Sequence, residues 1–327
     1  MPQNAIIRAD GTGDYTTIIA WIAAEGSSNY GAVTVGRVDD FFDQGSSSLF
    51  LSGTAPHGLK LEPFSTSIAF DGTQRKLCGL KSTATNRGVD FLTSSDIEID
   101  GLEIIYDGSS GSHRALEDSG AGVYTLRNSL VLVEAGTRIF INTFSFIDCA
   151  IVSKSADSNT SNGATSNFTG CNIFGQNVQD ILGNNDVSTN TVVYNTGSGA
   201  DFGGSGTLSN TASSDNTAST LTNIVIADNF VSTTPIATKD YRIISGSPLD
   251  TNGIGSFVQT SSGTPVTAIS ISTAQTISSV TLVQQSSLAV NNLTSAQAVS
   301  NVALAVAGGL TVNPISSANT IASPILT

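Results

Sequence analysis

A six-residue phrase recurs along the middle of the chain. It runs apolar, any, polar or glycine, small or apolar, any, apolar. It reads "IDGLEI" at Ile99–Ile104, "LRNSLV" at Leu126–Val131, "FIDCAI" at Phe146–Ile151, "FTGCNI" at Phe168–Ile173, "VSTNTV" at Val187–Val192 and "LTNIVI" at Leu221–Ile226. The phrase that opens at Leu126 opens again at Phe146, at Phe168 and at Val187, at close to constant spacing. Self-similarity at such a period marks a solenoid, whose repeats bury their apolar faces only against their neighbours. Parallel strands stacked ~4.8 Å apart pile like residues into ladders. This register sets Cys149 above Cys171, Phe146 above Phe168 and Ile151 above Ile173. The cysteines then read as small buried ladder residues. Three cysteines form no disulfide framework, and their spacing suits no common zinc site.

The two ends of this region carry their own signals. The opening "NAIIRADGTGDYTTIIAWIAAEGSS" reads as a strand, a glycine turn and a short apolar helix. Asp14 or Thr16 would cap that helix, with Ile18, Ile19, Trp21 and Ile22 on its apolar side. A helix so placed covers the open end of a coiled sheet. Near residue 250, "KDYRIISGSPLDTNGIGSF" (Lys239–Phe257) precedes an abrupt change of composition. These phrases together resemble the right-handed parallel β-helix proteins of the pectate-lyase-like superfamily. Many of those open on a similar glycine-rich phrase and end on a similar "DYR…SP-x-D" coil. The resemblance implies an all-β fold over residues 1–257, a right-handed parallel β-helix with a short N-terminal capping helix, and a last turn near residue 257.

From Asp250 to the final Thr327 no further Asp, Glu, Lys or Arg occurs, and beyond Phe257 there is no aromatic. Residues 258–265 read as a linker, and residues 266–327 as three copies of one 22-residue unit that align without gaps. Val266, Leu288 and Leu310 correspond, as do Ala268, Val290 and Val312, and Ile271, Leu293 and Ile315. Ile277, Val299 and Ile321 follow, and Leu282, Leu304 and Leu326 close each copy. Alternating apolar residues at 266/268, 288/290 and 310/312 predict strands with one buried face. A second strand is expected after each "AQ" or "AN". These fifteen apolar residues are the expected oligomerisation or docking surface of a small β module. An uncharged strand array has little to resist edge pairing, so interlocking with neighbouring chains, as a homotrimer, is the expected arrangement.

Charged residues make up only 12% of the chain, and its net charge is −13. Nucleic-acid binding needs clustered Lys and Arg to replace phosphate counterions, and no basic run occurs. No apolar stretch approaches the ~20 residues that span a bilayer. The N-terminus lacks a basic region followed by an apolar one, so no Sec-type export is expected.

Candidate chemistry is sparse. Asp39, Asp40 and Asp43 form the densest acidic cluster and are expected in a turn before the regular coils. Asp96, Glu98 and Asp100 alternate, so they share a strand face and could hold Ca²⁺. No Lys or Arg lies in the same local stretch. "RGVDFL" (Arg87–Leu92) resembles the G-x-V-D-F phrase of pectin methylesterases, without that family's downstream arginine motif. His57 and His113 sit in glycine-rich loops without a nucleophile, and His113-Arg114 with Glu117-Asp118 reads as a charged turn. No catalytic residue, metal site or cofactor is assigned.

The uncharged tandem phrases also resemble those on virion proteins of tailed bacteriophages. That resemblance implies a non-enzymatic structural protein, decorating the capsid or another particle surface and assembled in the host bacterial cytoplasm. Its partners would be itself and capsid or tail subunits. The alternative is a tailspike-like depolymerase, a lyase or glycosidase acting on host surface glycan.

Overall fold

The computed structural model describes residues 4–85, 87–108, 114–135, 138–141, 143–154, 165–175, 186–196, 200–203 and 206–259, with short strands between 272 and 326. The chain divides into two compact units, Met1–Val258 and Gln259–Thr327. The protein is all-β, built on parallel sheets, and its longest described helix has 8 residues. Among the described residues no helix is long and apolar enough to cross a membrane.

The N-terminal unit holds three parallel sheets; the described strands visit them in rotation from Thr34 to Ile141 and then alternate between two of them. A nine-stranded sheet runs in order through Asn4–Ile7, Thr34–Val38, Leu59–Pro63, Ile97–Asp100, Tyr124–Arg127, Ser145–Ile147, Asn167–Thr169, Val187–Thr189 and Thr207–Ser209. An eight-stranded sheet runs from Phe41–Asp43 through Gly79–Ser82, Glu103–Asp107, Leu130–Ala135, Ala150–Ser153, Asn172–Gly175 and Val192–Asn195 to Ala212–Ser213. A four-stranded sheet holds Leu49–Leu51, Arg87–Phe91, Arg114–Asp118 and Arg138–Ile141.

The polar third position of the recurring phrase is the corner between the first two sheets. Gly101, Asn128, Asp148, Gly170, Asn190 and Asn210 all have positive φ, between 46° and 72°. That left-handed conformation is open to glycine and, among L-residues, most readily to Asn and Asp. The corner N–H groups before the last layer still reach the next one: Asn128 donates to the Ile147 carbonyl at 3.0 Å and Gly170 to that of Thr189 at 2.9 Å. Asn210 Nδ2 donates to Asn190 Oδ1 at 2.8 Å, tying two corners directly.

Inside, the expected ladders form. Phe146 pairs in register with Phe168, their rings 5.2 Å apart and 8° from parallel, and Ile151 pairs with Ile173. Cys149 and Cys171 are fully buried and free. Burial holds the Cys149 thiol well above its ordinary pKa.

Two phrases need re-registering. Phe168 pairs with Ser188, not Val187, and Ile173 pairs with Val193. A one-residue slip exchanges the faces of a strand, so Ser188 turns inward and is fully buried. The left-handed corner at Asn190, which succeeds the one at Gly170, holds this register. The last turn is Leu208–Ser213, not Leu221–Ile226. Leu221 makes an isolated bridge to Ala212, and Ile226 opens a short helix, Ile226–Asn229.

The N-terminal helix spans Ile18–Glu25. Its cap is Thr17, not Asp14 or Thr16: the Thr17 hydroxyl accepts from the Ala20 N–H at 3.0 Å. Asp14 instead accepts from the Ile6 N–H at 2.8 Å. Ile18, Trp21 and Ile22 are buried, whereas Ile19 is 44% exposed.

The Lys239–Phe257 phrase is not a last turn. It is a strap across the outer face of the eight-stranded sheet, where Leu130, Leu132, Val152 and Phe174 point away from the interior. Tyr241, Ile243, Leu249 and Ile254 cover them and make a second core. Burying such side chains stabilises by roughly 1.5–3 kcal/mol each. Asn172, fully buried, clamps the strap: its Nδ2 donates to the Tyr241 and Ser256 carbonyls at 2.9 and 2.8 Å, and its Oδ1 accepts from the Ser256 N–H at 2.9 Å. "SPLD" within the strap is a helix start, with Ser247 as N-cap and Pro248 in the first turn of Pro248–Thr251.

In the C-terminal unit the strands are parallel and each pairs with its equivalent in the next copy. Ser272 pairs with Thr294 and Thr294 with Ser316; Leu282 pairs with Leu304 and Leu304 with Leu326. Leu288 pairs with Leu310 and Val290 with Val312. The copies pair with one another within the chain. Val266, Ala268, Ile271, Ile277, Leu293, Val299, Ile315 and Ile321 lie outside the described residues.

Candidate functional site

Stacking strands bring charges from distant parts of the chain onto the outer face of the nine-stranded sheet. Glu98 and Asp100 alternate outward on Ile97–Asp100 as expected, but Asp96 precedes the strand and accepts the Val123 N–H at 2.9 Å. Lys60 lies beside Glu98 in the neighbouring strand although it comes far earlier in the sequence. Its Nζ is 3.0 Å from Glu98, 3.0 Å from Asp100 and 3.3 Å from Glu62. The ammonium fills the place a bound cation would take between those carboxylates. Desolvation works against its charge, but the hydrogen bonds to Asp100 and Glu98 prevail and hold it protonated well above the usual lysine range. Arg37 pairs with Glu62 at 3.2 Å, Arg127 with Glu98 at 3.3 Å, and Asn128 Nδ2 donates to Asp100 at 2.9 Å.

A cleft of about 670 Å³ borders this face, lined by Arg37, Glu62, Phe64, Ser65, Asp100 and Asn128 among others. Phe64 is 41% exposed, with the Arg8 guanidinium 5.6 Å from its ring centroid. Phe70 and Phe257 meet edge to face at 4.9 Å along the same cleft. Carboxylates, an amide, a guanidinium and a ring beside one another suit hydrogen bonding to a polyhydroxylated ligand. Sequence reading missed this set because each member comes from a different layer. Only the outward column positions, once the register is known, could have found it.

The other candidates are accounted for by local contacts. Asp39, Asp40 and Asp43 do not precede the sheets; they follow Thr34–Val38, which is paired on both sides. Asp39 accepts from Arg8 Nε at 2.8 Å, Asp40 from the Phe41 N–H and Asp43 from the Gly45 N–H. Arg87–Phe91 and Arg114–Asp118 meet as neighbouring strands, with Asp90 in register with Glu117. Arg87 pairs with fully buried Asp90 and lies 2.8 Å from Glu117, which is 3.2 Å from Arg114. Asp118 accepts the Gly120 N–H at 3.0 Å. His57 is exposed, and His113 lies outside the described residues. Among the described residues no group of three His, Cys, Asp or Glu is placed to hold a metal ion.

One buried acid had no signal in the sequence. Asp201 is 1% exposed and accepts the Ser214 N–H at 2.6 Å and hydroxyl at 2.7 Å, while its own N–H donates to Asp215 at 3.0 Å. Burial pushes its carboxyl up to about 7, against the hydrogen bonds from Ser214 and with help from the Asp215 charge.

Set beside known protein families, curated proteins and solved structures, the chain has no match among them.

Proposed function

We propose that the N-terminal unit is a right-handed parallel β-helix of pectate-lyase-like type, and that the protein is a non-enzymatic structural component of a bacteriophage particle surface. One contrast carries this reading. An acidic, cross-linked ladder precedes a charge-free array whose repeats stack on one another. Such a ladder gives rigidity without metal or cofactor. The Lys60 ammonium between Glu98 and Asp100, and the pairing of Arg87 with buried Asp90 and Glu117, favour charges that serve stability. The array would provide attachment to capsid or tail subunits, with the acidic unit facing solvent. Deleting residues 259–327 tests this. The shortened protein should no longer co-sediment with particles, and retained attachment would refute the anchoring role.

A second reading is favoured by the cleft between Phe64 and Asn128, whose polar lining and exposed ring suit a glycan. Under it the protein recognises or cleaves host surface polysaccharide. Incubation with acidic and capsular polysaccharides, with and without Ca²⁺, separates the two. Reproducible chain shortening would overturn the structural reading.

A further inference from the structure

The C-terminal array is complementary to itself at its two ends. Of its described strands, Ser272–Thr273 and Val280–Gln284 each pair with one neighbour, on the side of higher residue numbers. Ser316–Ser317 and Ile325–Leu326 each pair with one neighbour, on the side of lower numbers. Both ends therefore carry a strand edge with unmatched N–H and C=O groups among the described pairings. Because the copies are alike, each end is the counterpart of the other.

We propose that the third repeat of one chain pairs in parallel with the first repeat of a second copy of this chain, continuing the repeat register across the junction. One further step beyond Ser316–Ser317 falls on Ser272–Thr273 of the next chain. The same step beyond Ile325–Leu326 falls on Thr281–Leu282. Leu326 would then meet Leu282 as Leu304 meets Leu326 within the chain. Strand edges are ordinarily protected by charge, especially Lys, and residues 251–327 contain none. Pro324 stands where the other copies have Val280 and Val302. It removes one donor and leaves a two-residue strand at that end, so the contact is short and assembly should depend on concentration. Pairing of this kind is head-to-tail, and it grows an open series where a two-fold or three-fold contact would close. The proposal concerns self-association alone and does not depend on where the protein resides.

Sedimentation velocity on the full chain tests it, with one variant blocked at each end: Thr281→Pro at the first repeat and Ile325→Pro at the last. The unsubstituted chain should form a concentration-dependent series of species, and each variant alone should lose everything beyond its monomer. Mixed, the two variants should form a dimer and nothing larger, because one free head meets one free tail. A second pair of chains guards against misfolded variants. Removing residues 283–304, one whole repeat, leaves the ends complementary and should preserve assembly. Removing residues 283–293 shifts the register by half a repeat and should abolish it. A monomeric unsubstituted chain, a closed trimer that both proline variants retain, a mixture without dimer, or equal behaviour of the two deletions would each overturn the proposal. Particle co-sedimentation is a separate measurement, so either reading can fail without the other.

Discussion

The two units of this chain stack parallel strands by different means. In the N-terminal unit the register is held by features that differ from layer to layer. These are a left-handed corner at Asn128, Asp148 or Asn190, a stacked Phe146–Phe168 pair, an ion pair such as Lys60–Glu98, and a strap clamped by Asn172. In the C-terminal unit the register follows from repetition: Leu282, Leu304 and Leu326 pair because each copy carries the same residue at the same place. Irregular layers specify one arrangement and stop. Identical layers specify a step, and nothing in the step itself says where to end.

The largest expected blow to the first mechanism is Phe168→Ala. It removes a ring that is 1% exposed from the middle of a ladder. A loss of about 3–5 kcal/mol is expected, read by urea unfolding of the full chain. If the units are independent, the self-association of the C-terminal array should survive this change.

Asn172→Ala leaves the Tyr241 and Ser256 carbonyls and the Ser256 N–H without their side-chain partner. About 2–3 kcal/mol should be lost. Limited proteolysis should cut within residues 239–257 before it cuts the ladder.

Asp201 supplies a pH dependence that the uncharged array lacks. Its folded-state pKa, about 7, lies above the ordinary 3.8, so between those values the folded protein binds the extra proton. The stability it contributes is full below about pH 4 and is lost as pH rises towards 7. Asp201→Asn should flatten that part of the unfolding profile measured against pH.

Lys60→Gln removes the shared cation from Glu62, Glu98 and Asp100. These groups are partly exposed, so the cost is modest, about 1 kcal/mol after solvent screening. The loss should appear as a lower midpoint in urea unfolding. The smallest effect is expected at Ser188, whose buried hydroxyl has no hydrogen-bond partner among the described residues. Ser188→Ala should raise stability by up to about 1 kcal/mol, seen as a higher unfolding midpoint.

The recurring phrase exposed the ladders, and its polar position proved to be the corner, because both are short-range matters. A left-handed corner needs Gly, Asn or Asp, and the apolar positions flank it at fixed offsets. The same pattern went astray at Val187, where a run of Thr, Asn and Val fits two registers equally well until Asn190 is placed at the corner. It went astray again at Leu221–Ile226, where similar apolar spacing serves a short helix under the strap. The acidic candidates were hard to place for a related cause. Glu98 and Asp100 had no counter-charge in the local sequence because Lys60 and Arg127 belong to other layers.

From sequence alone came the all-β, parallel-strand character of the chain, its ladder pairs, its C-terminal repeat period and the boundary where charge ends. Each is a property of residues close together or repeated at constant spacing. Only the tertiary structure decided which strand lies beside which across loops of unequal length. It also placed Lys60 between Glu98 and Asp100, laid Lys239–Phe257 over the outer face of the eight-stranded sheet, and buried Asp201. Those contacts join residues that lie far apart along the chain, as Asn172 and Ser256 do. Chain connectivity does not constrain such pairs, and the packing of whole layers does.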